Sequence, residues 1–269
     1  MQVIGICRFS WPGEGGFQVQ HRDLDARISY LYDRARLEER FRTFETITLP
    51  PLRAQSDANF TFLIVIGETL PEEWLSRLMD LVADIPQAII LPKGPGRHRE
   101  VMQEAINQSR EFDNQPCLQF RMDDDDAVAC TYIETLRGVV RDIGDLAQKH
   151  RCMAIDFSQG YIARPGPMGL EATPTNAPFT TAALALIISP KDRRTVMNFA
   201  HHKVARNMPT LSFCKPDMLI RGHNDFNDSR QKAGVKPVEL TPLTPEQEDH
   251  FRRVFNIDAD HVRRVFSAP

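Results

Sequence analysis

Residues 60–66 read Phe-Thr-Phe-Leu-Ile-Val-Ile, an aromatic and β-branched run with almost no polar side chain. A strand of this composition has to be covered on both sides. That is the situation of parallel strands between helices, not of a sheet with one wet face. Residues 3–7 and 88–91 are shorter runs of the same type. Between the runs the period changes. Leu37, Phe41 and Phe44 recur at helical spacing with Glu38, Glu39, Arg40 and Arg42 between them, and Leu49-Pro50-Pro51 is expected to stop that helix. Thr69 and Glu72 have capping-box spacing ahead of a helix carrying Trp74, Leu78 and Leu81. Another helical stretch covers about 98–109. Leu118, Phe120 and Met122 alternate with Gln119 and Arg121 in a strand that leads into Asp123, and Ile133, Leu136, Val140 and Ile143 make the next helical face.

This alternation predicts an α/β fold with a parallel, helix-covered sheet in the N-terminal half. The second half changes character. Strand candidates at 152–157, 161–163 and 182–189 are joined by shorter, proline-rich connections, so a mixed sheet is expected there. Thr244-Pro245-Glu246-Gln247 is a helix-start signature, followed by two short helical patterns (Phe251, Val254, Phe255; Val262, Val265, Phe266) flanked by Arg252, Arg253, Arg263 and Arg264. A packed C-terminal helical pair is the plain reading, and a basic surface for an anionic membrane is the sharper one. The expected organisation is a main domain at 1–230 and a C-terminal helical extension at 231–269.

Composition narrows the function. In 269 residues, 33 Lys and Arg face 36 Asp and Glu, a net charge of −3 that excludes binding nucleic acid by bulk phosphate attraction. Five scattered cysteines (Cys7, Cys117, Cys130, Cys152, Cys214) show no metal-binding or disulfide spacing, as in a reducing compartment. The longest strongly apolar stretch, 182–188, is far short of the ~20 residues of a membrane helix, and the N-terminus lacks a secretory pattern. A cytoplasmic protein is expected. Gly13, Gly15 and Gly16 do not match the dinucleotide-binding glycine pattern.

Asp123-Asp124-Asp125-Asp126 carries the chemistry. Neighbouring carboxylates ~4 Å apart at a partly buried site repel by about 1–4 kcal/mol per contact. A strand end in an open α/β sheet is also where ligands bind. A divalent cation with oxygen preference, Mg²⁺ or Mn²⁺, offsets the repulsion and is shared with substrate phosphates. The plain alternative is an acidic turn capping the following helix. Two metal chemistries fit. Asp123 and Asp125 form the Asp-x-Asp of a nucleotide-sugar transferase, or Asp124-x-Asp126-x-Val128 is the nucleophile motif of a haloacid-dehalogenase-type phosphatase. That phosphatase motif usually opens its domain, whereas here about three strand–helix units precede it.

The segments Arg8-Phe9-Ser10, Arg36-Leu37 through Phe41 and Phe44, Leu49-Pro50-Pro51-Leu52 with Gln55, and Arg121-Met122 through Ala127 together resemble the bacterial family of putative rhamnosyltransferases. The likeness runs from about residue 3 to about 230. It implies a GT-A-like Rossmann-type sheet, a nucleoside-diphosphate sugar donor on the N-terminal half, a divalent metal on Asp123 and Asp125, and Asp124 near the donor. The family name does not fix the sugar. A late histidine often completes the metal site in GT-A enzymes, and His223, in Arg221-Gly222-His223-Asn224-Asp225, is the candidate. A saccharide or glycolipid acceptor, in bacterial surface polysaccharide or glycolipid synthesis at the inner face of the membrane, is the implied setting.

Four arginines are donor-site candidates: Arg8 at the end of the first strand, Arg121 ahead of the acids, and Arg97 and Arg99 in the cationic loop 92–99. An inverting transferase also needs a general base for the acceptor hydroxyl. Asp192, His201, His202 and Asp225 are available, with Asp192 and His202 taken as the candidates, and the spacing leaves the stereochemical course open. A non-catalytic nucleotide-binding module on the same fold is the remaining alternative.

Overall fold

The structure, a computed structural model, describes residues 1–15, 21–111, 114–180, 182–224 and 238–268. The apolar runs become β1 (Val3–Arg8), β2 (Thr61–Gly67) and β3 (Ala88–Lys93), and the alternating stretch ahead of the acids becomes β4 (Cys117–Met122). β1 lies between β2 and β4, parallel to both, and β3 extends the sheet beyond β2. Helices supply the cover: α1 (Leu24–Leu31), α2 (Arg34–Thr43) and α3 (Leu49–Arg53) after β1, then α4 (Glu72–Val82) and α5 (His98–Ser109). In register, Cys7 stands level with Ile64 and Met122. Arg8 and Asp123 are thereby delivered side by side at the carboxyl edge of the sheet.

After the four aspartates come β5 (Ala127–Val128), α6 (Tyr132–Ile143), α7 (Asp145–Gln148), β6 (Cys152–Phe157), and a long hairpin of β7 (Gln159–Gly166) and β8 (Gly169–Asn176). β9 (Ala185–Ile188) inserts antiparallel between β4 and β6. α8 (Val204–Asn207) leads to β10 (Thr210–Phe213), parallel to β6. The first sheet therefore runs β10-β6-β9-β4-β1-β2-β3, parallel in its N-terminal part and mixed in the rest. β11 (Leu219–Gly222) and β12 (Thr241–Pro242) complete a second sheet in the order β12-β8-β7-β11-β5. The acidic turn is the crossing from one sheet to the other.

The chain closes with α9 (Pro245–Phe255) and α10 (Ala259–Ser267). The capping box forms as expected, with Thr244 Oγ1 accepting from the Gln247 backbone N–H at 3.3 Å and Gln247 Oε1 from the Thr244 N–H at 2.8 Å. Phe251, Phe255 and Val262 are buried in the main core, and Asn256 Nδ2 donates to the Pro50 carbonyl at 3.1 Å. Arg252 is ion-paired with Asp249 and Asp258, and Arg263 with Glu248 and Asp260. No helix among the described residues is long and apolar enough to cross a membrane. The expected division at 230/231 lies outside the described residues.

Three local expectations are corrected. Leu49-Pro50-Pro51 does not stop the helix: a π turn over Phe44–Thr48 follows α2, and both prolines sit in the first turn of α3. Proline is tolerated there because it lacks an N–H that the first turn does not need. Thr69 and Glu72 form no capping box. Pro71 is the N-cap of α4, and Thr69 Oγ1 lies 3.3 Å from the Tyr32 hydroxyl. The acidic run does not cap α6, which starts only at Tyr132.

Gly222 marks the closest approach of the second sheet to the acidic turn. A Cβ there would lie 2.4 Å from the Asp125 carbonyl oxygen and 2.6 Å from its Cβ. Gly222→Ala is expected to push β11 off the turn and cost about 1–3 kcal/mol, as overpacking does. A urea unfolding midpoint indistinguishable from the parent would contradict this close packing.

Candidate functional site

The acidic turn is held from within. The Asp126 backbone N–H donates to the Asp123 carbonyl at 3.2 Å, and the Asp123 N–H to Asp126 Oδ2 at 3.3 Å. Asp126 Oδ1 accepts from the Gly222 N–H at 3.1 Å, and Asp125 Oδ2 from Asn224 Nδ2 at 2.9 Å. From the other side come α2 and the π turn. Arg40 forms a buried ion pair with Asp124, their side chains only 6% and 4% exposed. Thr48 Oγ1 donates to the Asp126 carbonyl at 2.9 Å.

In an uninterrupted α-helix Thr48 would lie about 80° round from Arg40. The wider π turn takes up most of that rotation, so both side chains face the aspartates. Gln55, just beyond α3, completes the brace. Its Nε2 donates to the Ala129 carbonyl at 2.8 Å and its Oε1 accepts from the Ile133 N–H at 3.1 Å.

All four aspartates line a cavity of about 300 Å³, within the range of small-molecule sites. Six arginines line it as well: Arg8, Arg36, Arg40, Arg99, Arg121 and Arg221. Arg8 donates to Asp123 Oδ1 at 3.0 Å and to His98 Nε2 at 3.1 Å. A guanidinium can only donate, so the His98 proton resides on Nδ1. Burial, with Arg8 and Arg121 adding to it, pulls His98 down to about 3, so the ring is neutral at physiological pH. Arg36 donates to Ser10 Oγ at 3.1 Å and to the Leu31 carbonyl at 3.2 Å. Burial lowers Arg121 to about 10, which leaves it charged. Its Nε has no hydrogen-bond partner among the described residues.

The carboxylates are unequal. Burial raises Asp123, but the Arg8 guanidinium together with Arg121 and Arg40 outweighs it and holds that carboxyl below its ordinary range. Burial, with Asp124 and Asp123 adding to it against Arg40, pushes Asp125 up to about 7. Burial and then Asp125 push Asp126 well up. Arg8 and Arg40 thus offset two of the four charges. Among the described residues no three His, Cys, Asp or Glu side chains converge as a complete metal cage. Asp123 and Asp125, on the cavity wall, are oxygen donors of the kind an oxygen-preferring cation takes.

Of the residues singled out in the sequence, Arg8, Arg99, Arg121, Asp123, Asp124, Asp125 and His202 line this cavity. Arg97 does not. It is the exposed N-cap of α5, 3.3 Å from Glu100. His223 is not among the lining residues either, though its neighbours Gly222 and Asn224 both touch the acidic turn. Its N–H donates to the Ala163 carbonyl at 2.9 Å. Asp192 lies elsewhere, at the turn after β9. Hydrogen bonds from Arg194, 2.6 Å from its Oδ2, hold it down at about 2. Asp225 is outside the described residues. Sequence reasoning passed over Arg36, Arg40, His98 and Arg221. The first two were findable: at i and i+4 they flank the stripe of Leu37 and Phe41, close enough to the buried face to be drawn in.

A family described as "Putative rhamnosyl transferase" matches residues 2–236. No curated protein matches the chain. Similar solved structures include S. aureus TarS 1-349 (9% identity over 82% of this chain and 60% of that one, TM-score 0.44). The same fragment in complex with UDP-GlcNAc gives 10% identity over 99% of this chain and 71% of that one, TM-score 0.45. A putative glucose-1-phosphate thymidylyltransferase from Bacillus anthracis in complex with sucrose gives 9%, 79% and 87%, TM-score 0.40. The chain spans 60% of TarS 1-349 and 37% of the longer TarS structure.

The brace is testable through its buried ion pair. Arg40→Met strands the Asp124 charge and should lower stability by about 3–5 kcal/mol, whereas Arg40→Met with Asp124→Leu should recover most of that loss. Equal urea midpoints for the single and double variants would mean that the pair does not hold the turn.

Proposed function

The chain belongs to the putative rhamnosyl transferase family, and from that premise we propose that it moves a sugar from a nucleoside diphosphate to an acceptor hydroxyl, with the donor seated at the carboxyl ends of β1 and β4. The observation that carries this reading is the pairing of charges in one cavity, with six arginines standing around four aspartates. Guanidinium forks match the paired oxygens of a diphosphate. Arg99 and Arg221 on the rim and Arg121 within are assigned to the donor, with Arg8 between the donor and Asp123. Arg97 is too far out on the loop to share this role without movement.

Asp123 and Asp125 would hold a Mn²⁺ or Mg²⁺ ion against the donor phosphates, with His223 the nitrogen candidate next to the Asn224 that fixes Asp125. When bound, such an ion neutralises charge on the departing diphosphate. The protein's own part is preorganisation. Arg8, Arg40, Asn224 and the Gly222 N–H fix the four carboxylates before any ligand arrives, so little reorganisation is needed as charge develops.

The acceptor in this reading is a saccharide or glycolipid of bacterial surface synthesis, met in the cytoplasm. Membrane contact through α9 and α10 has less behind it, since Arg252 and Arg263 are engaged by nearby acids and the apolar faces lie in the core. A phosphatase nucleophile at Asp124 is disfavoured by its buried pair with Arg40. A non-catalytic module would share the donor site and differ in lacking turnover.

A nucleoside diphosphate bound only by the folded protein stabilises it by about 2.7 kcal/mol at a hundred times its dissociation constant. Thermal unfolding with a panel of nucleoside diphosphates should show such a shift, larger with Mn²⁺ present. Asp125→Asn should lose the Mn²⁺-dependent part, and release of nucleoside diphosphate from the matching sugar donor should fall with it. No shift for any nucleotide at millimolar concentration, with or without Mn²⁺, contradicts the donor site.

A further inference from the structure

Between β8 and β9 the backbone of Phe179 is left-handed, with φ of +62°. A bulky side chain at such an angle costs on the order of 1–3 kcal/mol and persists only where its surroundings impose it. They do so here. The Phe179 N–H donates to Oδ1 of Asp156 at 2.9 Å, and Ser212 Oγ donates to Oδ2 of the same carboxylate at 2.6 Å. Asp156 is fully buried in β6. The Phe179 carbonyl, turned by this arrangement, lies 2.6 Å from Nδ1 of His201. A carbonyl only accepts, so Nδ1 carries the ring proton and the lone pair of the neutral imidazole is on Nε2. His201 lines the same cavity as the four aspartates.

We propose that His201, through Nε2, is the general base that takes the proton of the acceptor hydroxyl, and that Asp156 and the Phe179 peptide are positioning groups that set its tautomer. The assignment rests on the glycosyl-transfer reading above. As the acceptor oxygen forms its bond to the anomeric carbon, its O–H proton passes to Nε2. The bond from that carbon to the diphosphate oxygen breaks, and its electron pair leaves with the diphosphate. The imidazolium then returns the proton to water. Attack from the face opposite the leaving group inverts the anomeric configuration.

The charged groups that act most on His201 are Arg121 from β4, Arg221 from β11 and its neighbour His202, all cationic when charged, and the four aspartates line the same cavity. Burial comes first and these three add to it against the Phe179 carbonyl, so the ring is held below its ordinary range and is neutral at pH 7. Activity carried by this base should rise with pH through a midpoint below ~6.5 and then level off.

The test uses the full chain, the nucleoside-diphosphate sugar it turns over fastest, and water as the accepting hydroxyl. His201→Gln should cut the turnover rate by about 10²–10⁴-fold and remove the limb assigned to His201, leaving nucleoside diphosphate affinity within about threefold. His201→Ala should regain activity with added imidazole. In ¹⁵N spectra the parent His201 should be the Nδ1–H tautomer, and Asp156→Asn should give a mixture while the protein stays folded. Full turnover in His201→Gln, or loss of the limb in His202→Gln alone, overturns the base assignment and leaves the donor reading standing. Nucleoside diphosphate binding without turnover in the parent also overturns it. Neither binding nor turnover in the parent overturns both.

Discussion

Four successive carboxylates placed at a buried sheet edge repel one another, and much of the surrounding structure is organised by that repulsion. Two arginines answer it directly. Arg8 arrives at the end of β1, level with the acids because β1 and β4 are in parallel register. Arg40 arrives from α2 and is sealed against Asp124. Among the described residues Asp125 and Asp126 receive hydrogen bonds but no guanidinium of their own, and burial leaves both carboxyls harder to ionise. The same cavity also holds Arg36, Arg99, Arg121 and Arg221, so acidic and basic groups share the place where the strands open.

The segment over residues 34–55 is the device that makes this turn rigid. Phe9, Phe41 and Phe44 pack together with ring centroids 4.8 and 5.0 Å apart, which anchors α2 against the end of β1. The π turn then re-aims the chain so that Arg40 and Thr48 face the same turn, and Gln55 ties the end of α3 to the segment after β5. From the opposite side, Gly222 and Asn224 close on Asp125 and Asp126. Pressed from two sides by hydrogen-bonded elements, the carboxylates hold their geometry without a ligand, which is what a site that stabilises a transient charge requires.

Much of this was legible in the sequence, and the exceptions have physical causes. The apolar runs at 3–7 and 60–66 became β1 and β2, buried along nearly their whole length, whereas the run at 88–91 became the edge strand β3 with Ile89 exposed. Gln119 was expected on a polar face, yet it is buried with Oε1 accepting from the Val196 N–H, because β9 makes β4 an interior strand. Pro50 and Pro51 read as a stop because the π turn that admits them leaves no mark in hydrophobic spacing. β8 escaped notice because Pro174 and its polar neighbours lack the alternation of a half-buried strand. In the site, the acidic run and Arg8 could be read from strand ends alone. Asp192 could not be separated from His201 and His202 that way: its partner Arg194 is two residues on, whereas the cavity is assembled from β1, α2, α5, β4 with the acidic turn, β11 and residues 197–202 ahead of α8.

The most direct measurement is a crystal structure grown with Mn²⁺ and the nucleoside diphosphate that stabilises the protein most, with anomalous data collected at the manganese edge. One manganese peak is expected between the diphosphate and the carboxylates of Asp123 or Asp125, with guanidinium groups of the cavity on the remaining phosphate oxygens. Nucleotide bound away from the β1–β4 edge, or lying in the cavity with both carboxylates turned from it and no metal between them, would contradict the account.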